Sequence, residues 1–448
     1  MSRRRNKKKN KKESLAPACV VVDLGSCSIK AGFAGLSTTS SWIPDVTVST
    51  TTLPQQNKAT MLGEIARQAW DRRDELIRPI KRGKIVNQDQ LKLLLEHTLL
   101  NKLEVSPKKN HILFADAAGY GYYSANDRKI LMEWTFEKLG MLSCMFIPQP
   151  VLGAFASGLT TSVVVDSGYE SSSVTSVIDG SIEQKKVLRI DHDSQENMML
   201  NMLLENERIT TKEKDGLPLL SDVGPHCRLV AEGTCYCSLK DIHKEMNSSK
   251  AGRTKKKYQL PDGTWLPVSE ERFMVPEVLF GSTFGNRWNP SSFSGISGLG
   301  SGGLGGAVAY QLKQHSNLYT DLSRNIICIG GRAETENFDE RLDLEISNAL
   351  NLLPRKKRSL DDENEDMDED LNEDLLNGEG GEVKTDRLLR RPKMARNKSK
   401  SKKFQRSNAA WAGGAMIASI DSMRALWINK EEFEEMGADA CIDRRRMG

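Results

Sequence analysis

The chain is short of aromatic residues (6%), holds only six histidines among 448 residues, and has no long apolar run. No stretch approaches the roughly 18–20 apolar residues that a bilayer-spanning helix needs. The N-terminus is basic with no apolar core behind it, which argues against a secretory signal. The eight cysteines are scattered, and none form a C-x-x-C pair. Several sit inside apolar stretches (Cys19, Cys144, Cys328), the pattern of buried, reduced thiols in the cytosol or nucleus. His226-Cys227 with Cys235-Tyr-Cys237 invites a zinc reading, which the spacing disfavours. The hydrophobic share of 38% is low because one tail and one insertion are almost wholly polar. A chain this long still buries a large core and is expected to form more than one domain.

Charge is present in blocks. The net charge of +4 hides eight Lys/Arg without an acid in residues 1–12 and the cluster Arg355-Lys-Lys-Arg358. Ten carboxylates lie between Asp361 and Asp374, then eleven Lys/Arg with one acid between Lys384 and Arg406. Such blocks repel themselves and have little apolar area to bury, so they are expected to be disordered. They read either as solubilising segments or as nuclear import signals with an acidic arm for basic partners.

The organising stretch is Cys19-Val-Val-Val-Asp23-Leu-Gly25-Ser26-Cys27-Ser28-Ile29-Lys30. Small apolar β-formers run into an aspartate, then a Gly-Ser turn, then a second strand. A turn of this kind can leave backbone N–H groups converging on an anion, and Gly25 allows close approach. Asp23 could hold a metal's water shell, and Lys30 could reach a phosphate. Taken alone, such a stretch is more often a plain hairpin than a nucleotide site. Ser162-Val-Val-Val-Asp166-Ser167-Gly168 repeats the pattern, followed by a strand predicted over Ser173–Ile178. Further on, Asn325-Ile-Ile-Cys-Ile-Gly330-Gly331 runs a strand into a Gly-Gly bend, suited to backbone packing against a base or ribose.

This trio, in this order, resembles the actin/sugar-kinase/heat-shock ATPase superfamily. Longer matches narrow the resemblance to actin-related proteins: Lys30-Ala-Gly-Phe-Ala-Gly35, Tyr258-Gln-Leu-Pro-Asp-Gly263, Trp411-Ala-Gly-Gly-Ala-Met-Ile-Ala-Ser419 and Trp427-Ile-Asn-Lys-Glu-Glu-Phe433. The two tryptophan segments disfavour a sugar kinase. The resemblance implies an α/β, two-lobed actin fold, each lobe a duplicated mixed-sheet domain. A basic tail (1–18) would precede a small lobe (19–156, outer subdomain about 45–78). A large lobe (157–353) would follow, with an outer subdomain at about 193–290 and a Gly/Ser loop at 281–306. A charged insertion (354–406) would separate it from a segment (407–448) returning to the small lobe. Helices are expected over 90–103, 126–139 (closed by Gly140), 191–207, 227–240, 307–315 and 339–353.

By the same resemblance, Asp23, Gly25, Ser26, Cys27, Lys30, Asp166, Ser167, Gly168, Glu232, Gly330 and Gly331 are the nucleotide-binding positions. Asp23 and Asp166 would hold Mg²⁺ through water, and Gln149 stands where the family positions its attacking water. Three departures weaken the site. Tyr169-Glu170 follows the second Ser-Gly and puts a carboxylate near the phosphates. Ser173 stands where the family carries a histidine. Arg332-Ala-Glu334-Thr335 follows the Gly-Gly bend in place of an adenine platform. Weak ATP·Mg²⁺ binding without useful turnover, no nucleotide at all, and genuine hydrolysis all stay open, with a pseudo-ATPase preferred. The functional expectation is a non-filamentous actin-related subunit of a nuclear chromatin-remodelling or histone-modifying complex, not a homopolymer. It would dock on a helical segment of a larger subunit, with charged tails contacting histones or DNA. The alternative is a cytoplasmic cytoskeletal relative such as the dynactin pointed-end cap, whose second loop also carries Gly-Tyr.

Overall fold

A computed structural model describes residues 18–35, 43–55, 58–68, 76–116, 125–182, 187–211, 217–250, 255–281, 303–350 and 405–444. The basic tail, most of the Gly/Ser loop and nearly all of the charged insertion lie outside the described residues. The chain divides into two units, Met1–Gly158 with Ser401–Gly448, and Leu159–Lys400.

The first unit is built on a six-stranded sheet. Its strands are β1 (Cys19–Leu24), β2 (Ser28–Phe33), β3 (Val46–Ser49), β8 (His111–Asp116), β9 (Ser143–Pro148) and β17 (Ile428–Asn429), in the order β17-β9-β8-β1-β2-β3. Two-stranded ribbons accompany it: β4 (Thr52–Gln55) with β5 (Lys58–Leu62), and β6 (Ile80–Lys81) with β7 (Lys84–Ile85). β1 is antiparallel to β2 and parallel to β8, so it is central and buried throughout. That explains the unbroken Val20-Val21-Val22 run, since a strand covered on both faces has no polar side. Val20, Val22 and Phe114 join a core with Leu91, Leu95 and Trp134. On the other face, helices Gln149–Ala156 and Ala409–Ile417 cross so closely that a Cβ on Gly413 would lie 1.9 Å from the Leu152 carbonyl oxygen. The Trp-Ala-Gly-Gly segment is therefore a packing requirement.

Two helices of this unit widen toward their C-termini. Gln88–Glu96 continues as a π-helical turn to Lys102, and Ala125–Glu133 does so to Leu139. In each, a threonine near the start of the wide turn donates its hydroxyl to the carbonyl four residues back: Thr98 to Leu94 and Thr135 to Leu131, both at 2.7 Å. Such hydroxyls compete with the helical amide for that carbonyl and distort the turn. Gly140 then ends the second helix at φ 68°.

The second unit repeats the motif. β10 (Ser162–Ser167) is antiparallel to β11 (Ser171–Ile178) and parallel to β16 (Ile326–Ile329). β12 (Ser181–Ile182) and β13 (Leu188–Asp191) also pair with β11. A separate ribbon joins β14 (Lys256–Gln259) and β15 (Trp265–Val268). The helix expected from Asp191 starts later: Leu188–Asp191 is strand, and Gln195–Glu205 follows the cap Ser194, whose hydroxyl accepts from the Asn197 amide at 3.1 Å. The helix expected to Lys240 stops at Thr234: Cys235 N–H still bonds the Ala231 carbonyl, but the amides after it find other partners, Tyr236 N–H on the Arg272 carbonyl and Cys237 N–H on that of Glu336. Residues 303–306, expected in the Gly/Ser loop, already belong to helix Gly303–Gln314. A Cβ on Gly305 would lie 2.4 Å from Glu345 Cβ, so this glycine admits the neighbouring helix.

All eight cysteines are free thiols, seven of them buried. Burial pushes Cys235 and Cys237 up to about 12. Among the described residues no group of three or more His, Cys, Asp or Glu side chains could hold a metal ion.

Candidate functional site

In the first unit, Asp23 is the fifth residue of β1 and is 4% exposed. Burial of an ionised carboxylate requires partners, and both oxygens have one. Lys30, directly opposite on β2, places its Nζ 3.2 Å from Oδ2. Gln149, first residue of its helix, donates from Nε2 to Oδ1 at 2.7 Å. Three of the expected site residues thus meet around one carboxylate. The turn between the strands is fastened to its own unit. Gly25 N–H donates to the Ser28 carbonyl at 3.1 Å, Thr50 hydroxyl donates to the Gly25 carbonyl at 2.9 Å, and Ser26 Oγ accepts from Gly83 N–H at 3.3 Å. The Cys27 carbonyl accepts from Thr50 N–H at 2.9 Å.

In the second unit, Asp166 is likewise the fifth residue of β10, half-buried, opposite Ser173 on β11 and beside Ile329 on β16. The bend after β16 presses against it. Gly330 has φ +88°, and a Cβ there would lie 2.3 Å from the Ser167 carbonyl oxygen and 2.7 Å from Asp166 Oδ1. The glycine is thus required by the hairpin itself, whereas a Cβ on Gly331 would meet nothing within 4 Å. Across the turn, Gly168 N–H donates to the Ser171 carbonyl at 2.9 Å. The Tyr169 hydroxyl donates to Glu196, a buried carboxylate on helix Gln195–Glu205.

A buried polar chain that motif reading missed continues from here. Ser167 Oγ lies 3.1 Å from Ser172 Oγ, which lies 3.0 Å from His192 Nε2. His192 Nδ1 lies 2.9 Å from Arg332 Nη1. Arg332 is 3% exposed, and its Nη2 donates to the Val275 carbonyl at 3.2 Å. Its Nε is buried without a partner among the described residues. Burial lowers its pKa to about 10. The residue after the Gly-Gly bend is therefore an arginine turned into the unit, facing a histidine and carbonyls. The sequence signal was a cation in an otherwise apolar and small-residue bend. Glu232, expected near a ribose, lies on helix Cys227–Thr234 with its side chain 53% exposed, 3.4 Å from Arg228 Nε.

Two copies of one strand-turn-strand motif, each with a parallel neighbour and an aspartate at the same register, are what an actin-type chain requires. The Actin family profile matches residues 15–214 and 227–447. The chain belongs to the actin family. Relatives are distant. Actin-like protein 9 of Mus musculus is 25% identical over 428 residues, covering 93% of this chain and 86% of the relative. Actin-like protein 9 of Homo sapiens is 25% identical over 430 residues, covering 93% and 86%. Actin-like protein 7B of Homo sapiens is 23% identical over 433 residues, covering 95% and 88%.

Actin-family proteins generally bind ATP and Mg²⁺; the Asp23 side of the first unit fits that pair, and the base side departs from it. Each Asp23 oxygen accepts one bond and retains a lone pair, so a Mg²⁺-bound water could donate to it beside Lys30 and Gln149. On the base side, the segment that would carry an adenine platform carries Arg332 instead.

Proposed function

We propose that this actin-related chain is a structural, non-filamentous subunit of a nuclear chromatin-remodelling or histone-modifying assembly, with a weak or vestigial nucleotide site. The observation that carries the pseudo-ATPase part is Arg332, buried beside the Gly-Gly bend and bonded to His192 and the Val275 carbonyl. In the first unit Asp23, Gly25, Ser26, Cys27 and Lys30, and in the second Asp166, Ser167, Gly168, Gly330, Gly331 and Glu232, remain the candidate nucleotide-binding positions. Gln149 is the residue left to orient a water. The nuclear part rests on the basic clusters Arg3–Lys12 and Arg355–Arg358. The absence of polymerisation rests on the outer ribbon. β4 and β5 are joined by two polar residues, and Pro54 and Ala59 are the exposed apolar side chains described there. A filament contact needs a larger apolar plug. A partner helix would supply the main interface, and the charged tails would contact histones or DNA.

A second reading, a cytoplasmic cytoskeletal subunit, is favoured by one feature, Tyr169 after the second Ser-Gly. Imaging of the tagged full-length chain separates them: nuclear signal that disperses when both basic clusters are neutralised supports the first, and steady cytoplasmic signal in the intact protein removes it. Phosphate release from ATP well above that of Gln149→Ala would remove the pseudo-ATPase reading.

A further inference from the structure

On the first unit, helix Gln88–Glu96 and the stretch Ile130–Lys138 flank a groove of about 510 Å³. Its floor holds Leu93, 41% exposed, with Ile130 and Trp134. Its walls carry four carboxylates, Asp89, Glu96, Glu133 and Glu137, against two lysines, Lys92 and Lys138. Among the described residues none of these four carboxylates takes part in an ion pair within 4 Å, although lysines stand beside them. Trp134 is 4% exposed, and its indole N–H has no acceptor among the described residues. The groove thus presents unpaired anions beside an apolar floor.

We propose that the occupant is the basic N-terminal segment of the same chain, residues 3–12, docked in this groove. Its chemistry matches, with eight Lys/Arg and no acid in residues 1–12. The exit point matches as well. The Ala18 carbonyl accepts from His111 N–H at 3.0 Å and from Asn110 Nδ2 at 3.1 Å, and the Asn110 carbonyl accepts from Leu142 N–H at 3.1 Å. Leu142 lies two residues beyond Gly140, which ends the helix carrying Glu133 and Glu137. Seventeen residues span about 56 Å when extended, several times the roughly 12 Å of the Ile130–Lys138 face. Tethering holds the tail at a high effective concentration, so weak screened ion pairs suffice to keep it there. While docked, the tail is withheld from other acidic surfaces, and salt or a competing polyanion releases it.

The test is zero-length carbodiimide cross-linking of the full chain, mapped by mass spectrometry, at about 50 mM and 500 mM salt. Links from Lys7–Lys12 to Glu96, Glu133 or Glu137 are expected, at least tenfold weaker at the higher salt. An equal mixture of isotopically light and heavy protein should give no mixed-mass links. Because Glu133→Gln with Glu137→Gln removes two linkable carboxylates, the readout is the remaining link to Glu96, which should weaken at least tenfold in this variant and in Glu133→Lys with Glu137→Lys, with thermal unfolding confirming that each is folded; an unchanged Glu96 link would overturn the proposal. Links spread evenly over carboxylates elsewhere would overturn the proposal. Mixed-mass links would give the groove to a second copy, and groove links only to lysines of 384–406 would give it to another segment; either overturns it.

Discussion

The two hairpins share a six-residue first strand, a register at the aspartate and a parallel neighbour, and differ in how each keeps its aspartate. In the first, the opposing strand supplies Lys30, and Gln149 closes the other oxygen, so Asp23 is satisfied within its own sheet and one helix. In the second, the opposing residue is Ser173, and what presses on Asp166 is the bare backbone of Gly330. The cation nearest in sequence to that bend, Arg332, turns away to His192 and two carbonyl groups. The residues that follow the parallel neighbours diverge as well. β8 ends in Asp116, a fully buried carboxylate held by Arg128 and pushed up to about 6 by burial, whereas β16 ends before a glycine. One backbone template thus carries two different polar economies: the first is organised around a charge pair, the second around close backbone approach and a hydroxyl-imidazole chain that ends on Arg332.

The contrast breaks most severely at Gly330. A methyl there meets the Ser167 carbonyl at 2.3 Å on a backbone at φ +88°. Both the strained conformation and the overlap must be relieved by moving β10 or the bend, so Gly330→Ala should cost about 4 kcal/mol in denaturant unfolding. Gly331→Ala, where a Cβ meets nothing within 4 Å, should change stability by less than about 0.5 kcal/mol. Equal effects at the two positions would show that the bend yields freely and that the close approach is not what holds the hairpin.

The aspartates themselves come next. Removing Asp23 strands a Lys30 whose side chain is 14% exposed and leaves Gln149 without its acceptor. Breaking one side of such a pair typically costs about 3 kcal/mol. Asp166→Ala, opposite a serine and half-buried, should cost about 1 kcal/mol. Thermal unfolding of the two variants side by side gives the difference, and a reversed order would mean that the second hairpin, not the first, depends on its carboxylate.

Much of this was readable from the chain alone. Val20-Val21-Val22 before Asp23 and Val163-Val164-Val165 before Asp166 announce buried strands, because only a strand covered on both faces tolerates such runs. The family follows from these repeats and from Trp411-Ala-Gly-Gly, where small residues let two helices touch. Three things were not legible, for physical reasons. The wide turns at Thr98 and Thr135 depend on hydroxyl contacts that periodicity does not register. Gly303 and Gly305 looked like loop residues, since a glycine needed for close helix packing reads the same as one needed for flexibility. Arg332 and His192 stand 140 residues apart, and nothing local marks either as the other's partner.

The smallest expected effect lies at the turns. The first hairpin turns through Leu24-Gly25-Ser26-Cys27 without an acid, and the second places Glu170 two residues after Gly168. The Glu170 carbonyl accepts from His192 N–H at 3.0 Å, a bond that glycine at this position keeps, so the backbone tie survives Glu170→Gly while the charge is lost. At about 4 Å in water a unit charge repels another by about 1 kcal/mol, near a fivefold change in affinity. Binding of a fluorescent ATP analogue should therefore tighten by about fivefold in the variant at low salt. At 1 M salt, where the screening length is about 3 Å, the gain should shrink to about twofold or less. A gain that is the same at both salts would assign the effect to the freer glycine backbone, and the acid in the second turn would then have no part in separating the two hairpins.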